Sequence, residues 1–210
     1  MPRDLDTRDL HVALGWVTAV AGASPVSVWE SPTIGGTWSP RQTLDHLADA
    51  MLLYAAYVAT RAQGRLPPPR NGDPAATPGS LIEVTKSCTA VLGRLIEGLT
   101  DDERAFHPSG LADRTGWIAM ACTELLVHGS DIDGGRQPTS PETDEVAALV
   151  VGRVFPWAPA KGSGWDRLLW ATGRRALGSL PADSADWWWH SAPLSEWDGA
   201  ARRRDAPPQW

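Results

Sequence analysis

The sequence predicts an all-α protein, a four-helix bundle followed by a Trp-rich C-terminal appendage. In four long segments, apolar residues recur at helical spacing, and loops rich in Pro and Gly separate these segments. No segment alternates apolar and polar residues convincingly enough to indicate a sheet. The chain has 210 residues, including 12 Trp, so we expect a bundle over residues 1–140 and an extension packed on it over residues 141–210.

The first two helices are predicted over residues 4–21 and 40–63. The second has a well-marked start, because Ser39 is a favourable N-cap and Pro40 suits the first helical position. Gln42 completes a capping box with the N-cap serine. A glycine and a run of three prolines follow this segment, and they predict its end.

The third and fourth helices are predicted over residues 80–99 and 115–128. Ser80 with Glu83 forms a capping-box pattern at the start of the third helix. Gly129 is the expected C-terminal stop of the fourth helix. Together with the first two, these segments supply the four helices of the bundle.

The extension is predicted to contain two more helices, over residues 140–155 and 163–177. Residues 186–199 are rich in Trp and could form a short strand or two. Their indole rings could form an aromatic lid over a sugar-containing thiol or an aromatic substrate. We favour the simpler interpretation, in which large side chains anchor the appendage to the bundle.

Composition excludes several classes of protein. The formal net charge of −6 argues against nucleic acid or an anionic membrane as the main partner. No N-terminal signal core and no apolar run of about 18 residues is visible, so we expect a cytoplasmic protein. Cys88 and Cys122 lie in apolar helical contexts and are expected to be small core residues of a reduced protein. No coiled-coil seam appears, and both a monomer and a homodimer remain open.

Glu124 and His128 are the most informative pair in the chain. They lie four residues apart in the fourth helix, so their side chains share one face, which is otherwise apolar and carries Trp117 and Ala121. A carboxylate and an imidazole on a face directed toward the core are costly unless they have a partner. A divalent metal ion is the natural partner, because His nitrogen and Glu oxygen are standard zinc ligands.

A third ligand is expected from the second helix, at His46. A lone histidine there would usually be a core residue with one hydrogen bond, but bundle cores bind metals through inward Glu and His side chains of facing helices. We therefore predict a metal site formed by His46, Glu124 and His128. Asp45 and Asp49 flank His46, but they point at least about 100° away from it and are expected to be solvated or to support a ligand.

Several other side chains have two interpretations each. Trp38 is expected to pack on the end of the bundle as a hydrophobic staple, with a pocket-lining role as the less favoured alternative. Tyr54 and Tyr57 each have the same two interpretations. The hydroxyl donates a hydrogen bond near the metal, or the residue belongs to the core and its hydroxyl reaches water. His107 and His190 fall in expected loops, and nothing in their spacing requires either as a ligand.

The stretches WSPRQTLDHLADAMLLYAA and MACTELLVHGSDI resemble the DinB-like metalloproteins, in particular the N-terminal domain of mycothiol-dependent maleylpyruvate isomerases. The shared features are a Trp before the second helix, a His inside it, and a Glu-x-x-x-His-Gly-x-Asp signature that ends the fourth helix. The resemblance covers roughly residues 1–135, and it implies the same three ligands. It also places an aspartate at Asp131, which would orient a ligand imidazole or, alternatively, cap the next turn.

Three protein ligands leave a fourth zinc position open, which is typical of a catalytic site. The resemblance implies a low-molecular-weight thiol as cosubstrate, in particular mycothiol, with S-transfer or cis–trans isomerisation of a small electrophilic substrate. Zn²⁺ is the expected ion, although Ni²⁺, Fe²⁺ or Mn²⁺ would suit two histidines and a glutamate. The alternatives are a hydrolase or lyase that uses metal-bound water, and a non-catalytic bundle that binds a metal or ligand.

Overall fold

Six α-helices and a short β-hairpin form the main regular structure in the computed structural model, which describes residues 3–33, 38–70, 72–183 and 185–204. The fold is the predicted all-α bundle with a Trp-rich C-terminal region. The elements are α1 (Thr7–Ala23), α2 (Pro40–Thr60), α3 (Pro78–Glu97), β1 (Ala105–His107), β2 (Gly110–Ala112), α4 (Arg114–Asp133), α5 (Pro141–Val154) and α6 (Gly164–Ala171).

Helix α4 lies at the centre of the molecule. It contacts α1, α2, α3 and α5, and all its residues from 116 to 127 are buried. A helix that is buried on every side is expected to be apolar all round. Glu124 is the one ionisable carboxylate in this buried stretch, so it needs compensating partners from the neighbouring helices.

The starts of α2 and α3 depend on their caps. The predicted capping box at α2 is confirmed, with Ser39 Oγ accepting from the Gln42 amide and Gln42 Oε1 accepting from the Ser39 amide at 2.9 Å. The capping box predicted for Ser80 with Glu83 is wrong. Thr77 is the N-cap instead, because its hydroxyl accepts the Ser80 amide at 3.2 Å and a proline follows it at the first helical position.

The prediction that α4 stops at Gly129 is wrong, because the helix continues to Asp133. Gly134 ends it in the left-handed conformation, with φ 72°. A Cβ at Gly129 would lie 2.2 Å from the indole ring of Trp16, which packs edge-on against Trp165. This glycine therefore admits an aromatic ring between α1 and α4 and does not mark the end of the helix.

Helix α6 ends at Ala171, well before the predicted residue 177. Gly173 has φ 72°, and the Arg174 amide donates to the Leu169 carbonyl at 2.8 Å. This six-to-one hydrogen bond after a left-handed glycine is a Schellman stop, which the continuing helical period conceals. The ends predicted for α1 and α2 are also wrong, by less than one helical turn: α1 begins later and α2 ends earlier.

The hairpin between α3 and α4 is absent from the sequence prediction. Each strand has three residues, which is too short to show alternation. Its first strand is attached to the end of α2 by a hydrogen bond of 2.7 Å from the Phe106 amide to the Ala62 carbonyl. His107, which was expected in a loop, lies in β1 and is buried.

The C-terminal region packs on the bundle through α5, which contacts α1 and α4. Beyond α6, the described residues of the Trp-rich segment contain a short 3-10 helix, Leu194–Glu196, and an isolated bridge between Trp187 and Arg203, and the strand that the sequence allowed is not formed among them. Trp189 is buried, and the Trp187 ring packs edge-on against Phe155. These contacts agree with an anchoring role for the tryptophans, while the division near residue 140 stays a prediction.

Arg153 connects three parts of the chain. From α5, its Nε donates to the Thr115 hydroxyl at 2.8 Å, and its Nη2 donates to Asp113, the N-cap of α4, at 2.5 Å. The same guanidinium donates to the backbone carbonyls of His190 and Ser191 at 3.2 and 3.1 Å. One buried cation thus holds the Trp-rich segment against the bundle. None of the described helices is both long and apolar enough to cross a membrane.

We expect Gly129→Ala to lower the free energy of unfolding by about 2 kcal/mol, because the Trp16 ring must move to admit a methyl group. The matched control is Gly15→Ala in α1, where a Cβ meets nothing within 4 Å. That control should be about 0.5–1 kcal/mol more stable than the parent protein, since alanine is the better helix former. Chemical denaturation of both variants measures these changes. Equal changes in the free energy of unfolding would contradict the role of Gly129 in admitting the Trp16 ring.

We expect Arg153→Met to lower the free energy of unfolding by about 3 kcal/mol, because it leaves Asp113 and two backbone carbonyls without their buried donor. Arg94→Met is the control, since Arg94 is highly exposed and pairs only with Glu97 in the same helix. Its effect should stay within about 0.5 kcal/mol. Urea unfolding measures the stability of both variants. Similar losses in the free energy of unfolding would contradict a stabilising role of Arg153 at the Trp-rich segment.

Candidate metal centre

His46, Glu124 and His128 meet between α2 and α4, as the spacing predicts. Glu124 Oε2 lies 3.4 Å from His46 Nε2 and 3.2 Å from His128 Nε2. One potential ligand atom from each of these residues lies within 4.8 Å of the other two, and among the described residues they form the one cluster of His, Cys, Asp or Glu that could hold a metal ion. Two facing helices therefore bring two imidazole nitrogens and one carboxylate oxygen to a common point.

The two distances from Glu124 Oε2 are compatible with ligands of a metal ion as well as with long hydrogen bonds. Ligands at about 2.0–2.1 Å from a tetrahedral ion are separated by about 3.3–3.4 Å. A charged N–H···O bond is usually shorter, about 2.7–2.9 Å. Both histidines also direct Nε2 at the same carboxylate oxygen. The donor set and its spacing suit a zinc-sized ion.

Asp131 accepts a hydrogen bond from the other nitrogen of His128, with Asp131 Oδ2 3.1 Å from Nδ1. Arg174 donates to both oxygens of this carboxylate at 2.8 Å. Burial would raise the pKa of Asp131, but the bonds from Arg174 and His128 outweigh it and lower the pKa to about 2. An ionised Asp131 favours a proton on Nδ1, which leaves the Nε2 lone pair free for a metal. The alternative that Asp131 caps the next turn is wrong, since it lies inside α4.

The two oxygens of Glu124 have different partners. Tyr54 donates its hydroxyl to Oε1 at 3.1 Å, while Oε2 faces the two histidines. Burial would raise the pKa of Glu124, yet the adjacent side chains of His128 and His46 lower it well below its usual range. Burial and the adjacent carboxylate raise the pKa of Tyr54 well above 10. Tyr54 therefore stays a donor, and Oε2 is the oxygen available to an ion.

Trp38 stacks on the ligands and does not act as the predicted staple. Its ring centroid is 4.8 Å from that of His46 and 5.9 Å from that of His128, and it is nearly parallel to the second ring. The residue just before the α2 N-cap thus lines the site and limits the movement of both imidazoles. The favoured prediction for Trp38 was wrong, and the alternative of lining the pocket describes its position.

The three ligands open onto a pocket of about 220 Å³ that the C-terminal region closes on one side. Trp187, Trp189, Arg174 and Arg204 contribute to this wall. The guanidinium of Arg204 lies over the rings of Trp188 and Trp187, at 4.3 and 5.0 Å from their centroids. Its Nε is buried and has no hydrogen-bond partner in the described part of the chain. Burial also lowers the pKa of this guanidinium.

Sequence reasoning missed Arg204, because no helical or strand pattern covers the C-terminal arginines. The signal that could have found it is the combination of a Trp cluster with an arginine run, since guanidinium groups stack on indole faces. The position of Arg204 in the pocket depends on the path of the irregular C-terminal segment back to the bundle. No periodic pattern in the sequence encodes that path.

The remaining candidates lie outside the ligand cluster. Asp45 and Asp49 both pair with Arg70, in the direction away from His46 that the helical angle predicts. The Tyr57 hydroxyl accepts the Leu66 amide at 3.1 Å. His190 contacts the Pro193 carbonyl, and His107 lies in a separate cavity.

Residues 10–132 match the sequence profile of the DinB superfamily. This match spans more than half of the chain, and the protein belongs to that superfamily. Two solved structures of a mycothiol-dependent maleylpyruvate isomerase, one of them a histidine-to-alanine mutant, have a similar fold. Their TM-scores are 0.56 and 0.57, each at 13% identity, covering 80% of this chain and 88% of the isomerase chain. At this identity the likeness shows the fold alone. No curated protein matches the sequence.

We expect Tyr54→Phe to weaken metal binding by about 10- to 100-fold, because Glu124 loses the donor that orients its carboxylate. Tyr57→Phe is the matched control: it removes another hydroxyl of α2, which accepts the Leu66 amide and bonds no other described residue. That variant should bind metal like the parent protein. Competition with a chromogenic chelator measures both affinities, and equal affinities for the two variants would contradict the assigned role of Tyr54.

Proposed function

We propose that the protein is a divalent-metal-dependent enzyme that uses a low-molecular-weight thiol, in particular mycothiol, for S-transfer or isomerisation of a small electrophilic substrate. The observation that carries this proposal is the convergence of His46, Glu124 and His128 on one point beside an open pocket. Three ligands with an accessible fourth position are typical of catalytic zinc. The similar solved structures are named as mycothiol-dependent, and this supports the choice of thiol.

The ion in this site would act as a Lewis acid that lowers the pKa of a thiol held beside it. The surrounding residues orient the side chains that would bind the ion. Asp131 holds the Nδ1 proton of His128, and Tyr54 holds Oε1 of Glu124, so that Nε2 and Oε2 remain directed at the centre. The ring of Trp38 covers His46 and His128 and excludes water from that side.

The reaction requires only addition and, for isomerisation, reversal. The thiol sulfur forms a bond to an electrophilic carbon of an activated double bond, and the thiol proton ends on the neighbouring carbon or oxygen in S-transfer. In isomerisation, the displaced electron pair stays delocalised until the new single bond has rotated. The sulfur then leaves with its bonding pair, and the double bond and the thiol are restored. Neither route consumes an oxidant or a reductant.

Arg204 supplies the positive charge for an anionic substrate. Its guanidinium is held in place by two indole rings, and its buried Nε has no partner among the described residues. A buried donor without a partner is costly, which favours a ligand that accepts from it. A carboxylate or carbonyl of a substrate in the pocket would accept this hydrogen bond. A carboxylate would also be attracted by the positive charge of the guanidinium.

This chemistry fits a cytoplasmic protein with reduced cysteines. Cys88 and Cys122 are both free and buried, and burial raises the pKa of each thiol. Neither is suited to act as the reactive sulfur, because the thiolate is the nucleophile. The reacting thiol is therefore supplied by the cosubstrate. Monomer and homodimer both remain compatible with a site built within one chain.

The test combines metal analysis with thiol turnover. We expect about one equivalent of metal in the parent protein and less than about a tenth of that in His46→Ala, because two ligands do not hold an ion tightly. Mycothiol-dependent conversion of model electrophiles such as activated cis-alkenes should fall in parallel. Loss of the thiol reports S-transfer, and the trans product reports isomerisation. His11→Ala, which removes an exposed histidine from α1, should keep both.

Two results would contradict the proposal. Parent protein that binds no metal after incubation with Zn²⁺, Ni²⁺, Fe²⁺ or Mn²⁺ would leave the triad as a polar network of the core. Metal-dependent turnover that proceeds equally well without any thiol would instead favour a hydrolase or lyase that uses water on the same ligands.

A further inference from the structure

A second and larger cavity, of about 370 Å³, lies beside the metal pocket. Two side chains connect them: Trp189 lines both, and Tyr54 lines the second cavity while its hydroxyl bonds the ligand Glu124. The other walls include Leu53, Tyr57, Pro67 and Trp188. The lining is thus mainly aromatic and aliphatic, as in cavities that bind small organic molecules.

The loop over this cavity is fixed at both ends to α2. The Leu66 amide donates to the Tyr57 hydroxyl at 3.1 Å, and Arg70 pairs with Asp45 and Asp49. Between these points the chain is three consecutive prolines, whose φ angles are fixed by their rings. A wall held in this way is formed before any ligand arrives, which reduces the entropic cost of binding.

His107 provides a polar group inside this apolar space. Its Nδ1 accepts the Ser109 amide at 3.1 Å and the Ser109 hydroxyl at 2.6 Å, so Nδ1 carries no proton and Nε2 does. His107 lines the cavity, and the described residues offer no hydrogen-bond acceptor to this Nε2. An N–H donor at the wall of a cavity can bind a ligand that has an acceptor atom.

The charges around the cavity are positive. Arg65 lines it on the solvent side and makes no ion pair with any described residue, and Arg204 is stacked over the Trp188 wall. Burial lowers the pKa of His107 to about 3; the ionised Glu124 opposes this shift, and the two arginines add to it. The imidazole is therefore neutral at physiological pH, and an anion in this cavity would be bound by Arg65, the arginine that lines it.

We propose that this cavity binds the apolar ring of an aromatic carboxylate, with the ring against Trp188 and Leu53, an acceptor atom at His107 Nε2 and the carboxylate at Arg65. An engineered cavity of about 150 Å³ holds benzene, so this one has room for one or two rings. That such a ligand is the electrophilic substrate rests on the proposed function, whereas binding to the cavity does not.

Calorimetric titration of the metal-loaded protein with 2-naphthoate tests the proposal, with 2-naphthalenemethanol as the uncharged probe of the same shape. We expect one site per chain and an affinity for the acid about three- to tenfold higher than for the alcohol. Arg65→Gln should remove this preference and leave the binding of the alcohol unchanged. Arg94→Gln, at an exposed arginine of α3, should change neither affinity.

Leu53→Trp should weaken both probes by at least about tenfold, because the added ring occupies the cavity. Absence of binding, or an acid preference that survives Arg65→Gln, would overturn the proposal even if Leu53→Trp fails to fold. Loss of naphthoate binding in His46→Ala would overturn it too, since the carboxylate would then depend on the metal. Retained binding in His46→Ala supports the cavity even where thiol turnover fails, so the two proposals are tested separately.

Discussion

An ionised carboxylate in the most buried helix is the constraint on which the site depends. An ionised Glu124 would be costly at the centre of the bundle without compensation. Three side chains on two helices compensate it: Tyr54 and His46 on α2, and His128 on α4 itself. A divalent ion among these groups would complete the balance of charge. The apolar packing around α4 therefore fixes the positions of the ligands as well as the fold.

A chain of hydrogen bonds carries this arrangement outward into the C-terminal region. His128 bonds Asp131, and Asp131 bonds Arg174, which lies just after α6. Arg153 fastens the Trp-rich segment from the other side. The appendage is thus part of the site, because it supplies one wall of the pocket and the cation Arg204. Changes far from the ligands in sequence can alter the pocket by this route.

Helical period and capping chemistry predicted the bundle and the α4 part of the candidate metal cluster, because both depend on spacing within one helix. Glu124 and His128 share a face of α4 because they lie four residues apart in one helix. His46 was predicted because a metal site in a bundle needs a further ligand from a facing helix. The same rules failed at Gly129 and Trp38, where the deciding contact comes from another element: Trp16 in the first case and the two imidazoles in the second. The position of Arg204 depends on an irregular path that no period encodes.

X-ray absorption at the edge of the bound metal, measured on the purified protein, tests the central claim most directly. The account predicts one ion with two imidazole nitrogens and at least one carboxylate oxygen at about 2.0–2.2 Å. In His128→Ala the bound metal should fall below about a tenth of an equivalent, as in His46→Ala. An ion without imidazole ligands, or a first shell that is the same in this variant, would contradict the assignment of His46, Glu124 and His128 as the metal site.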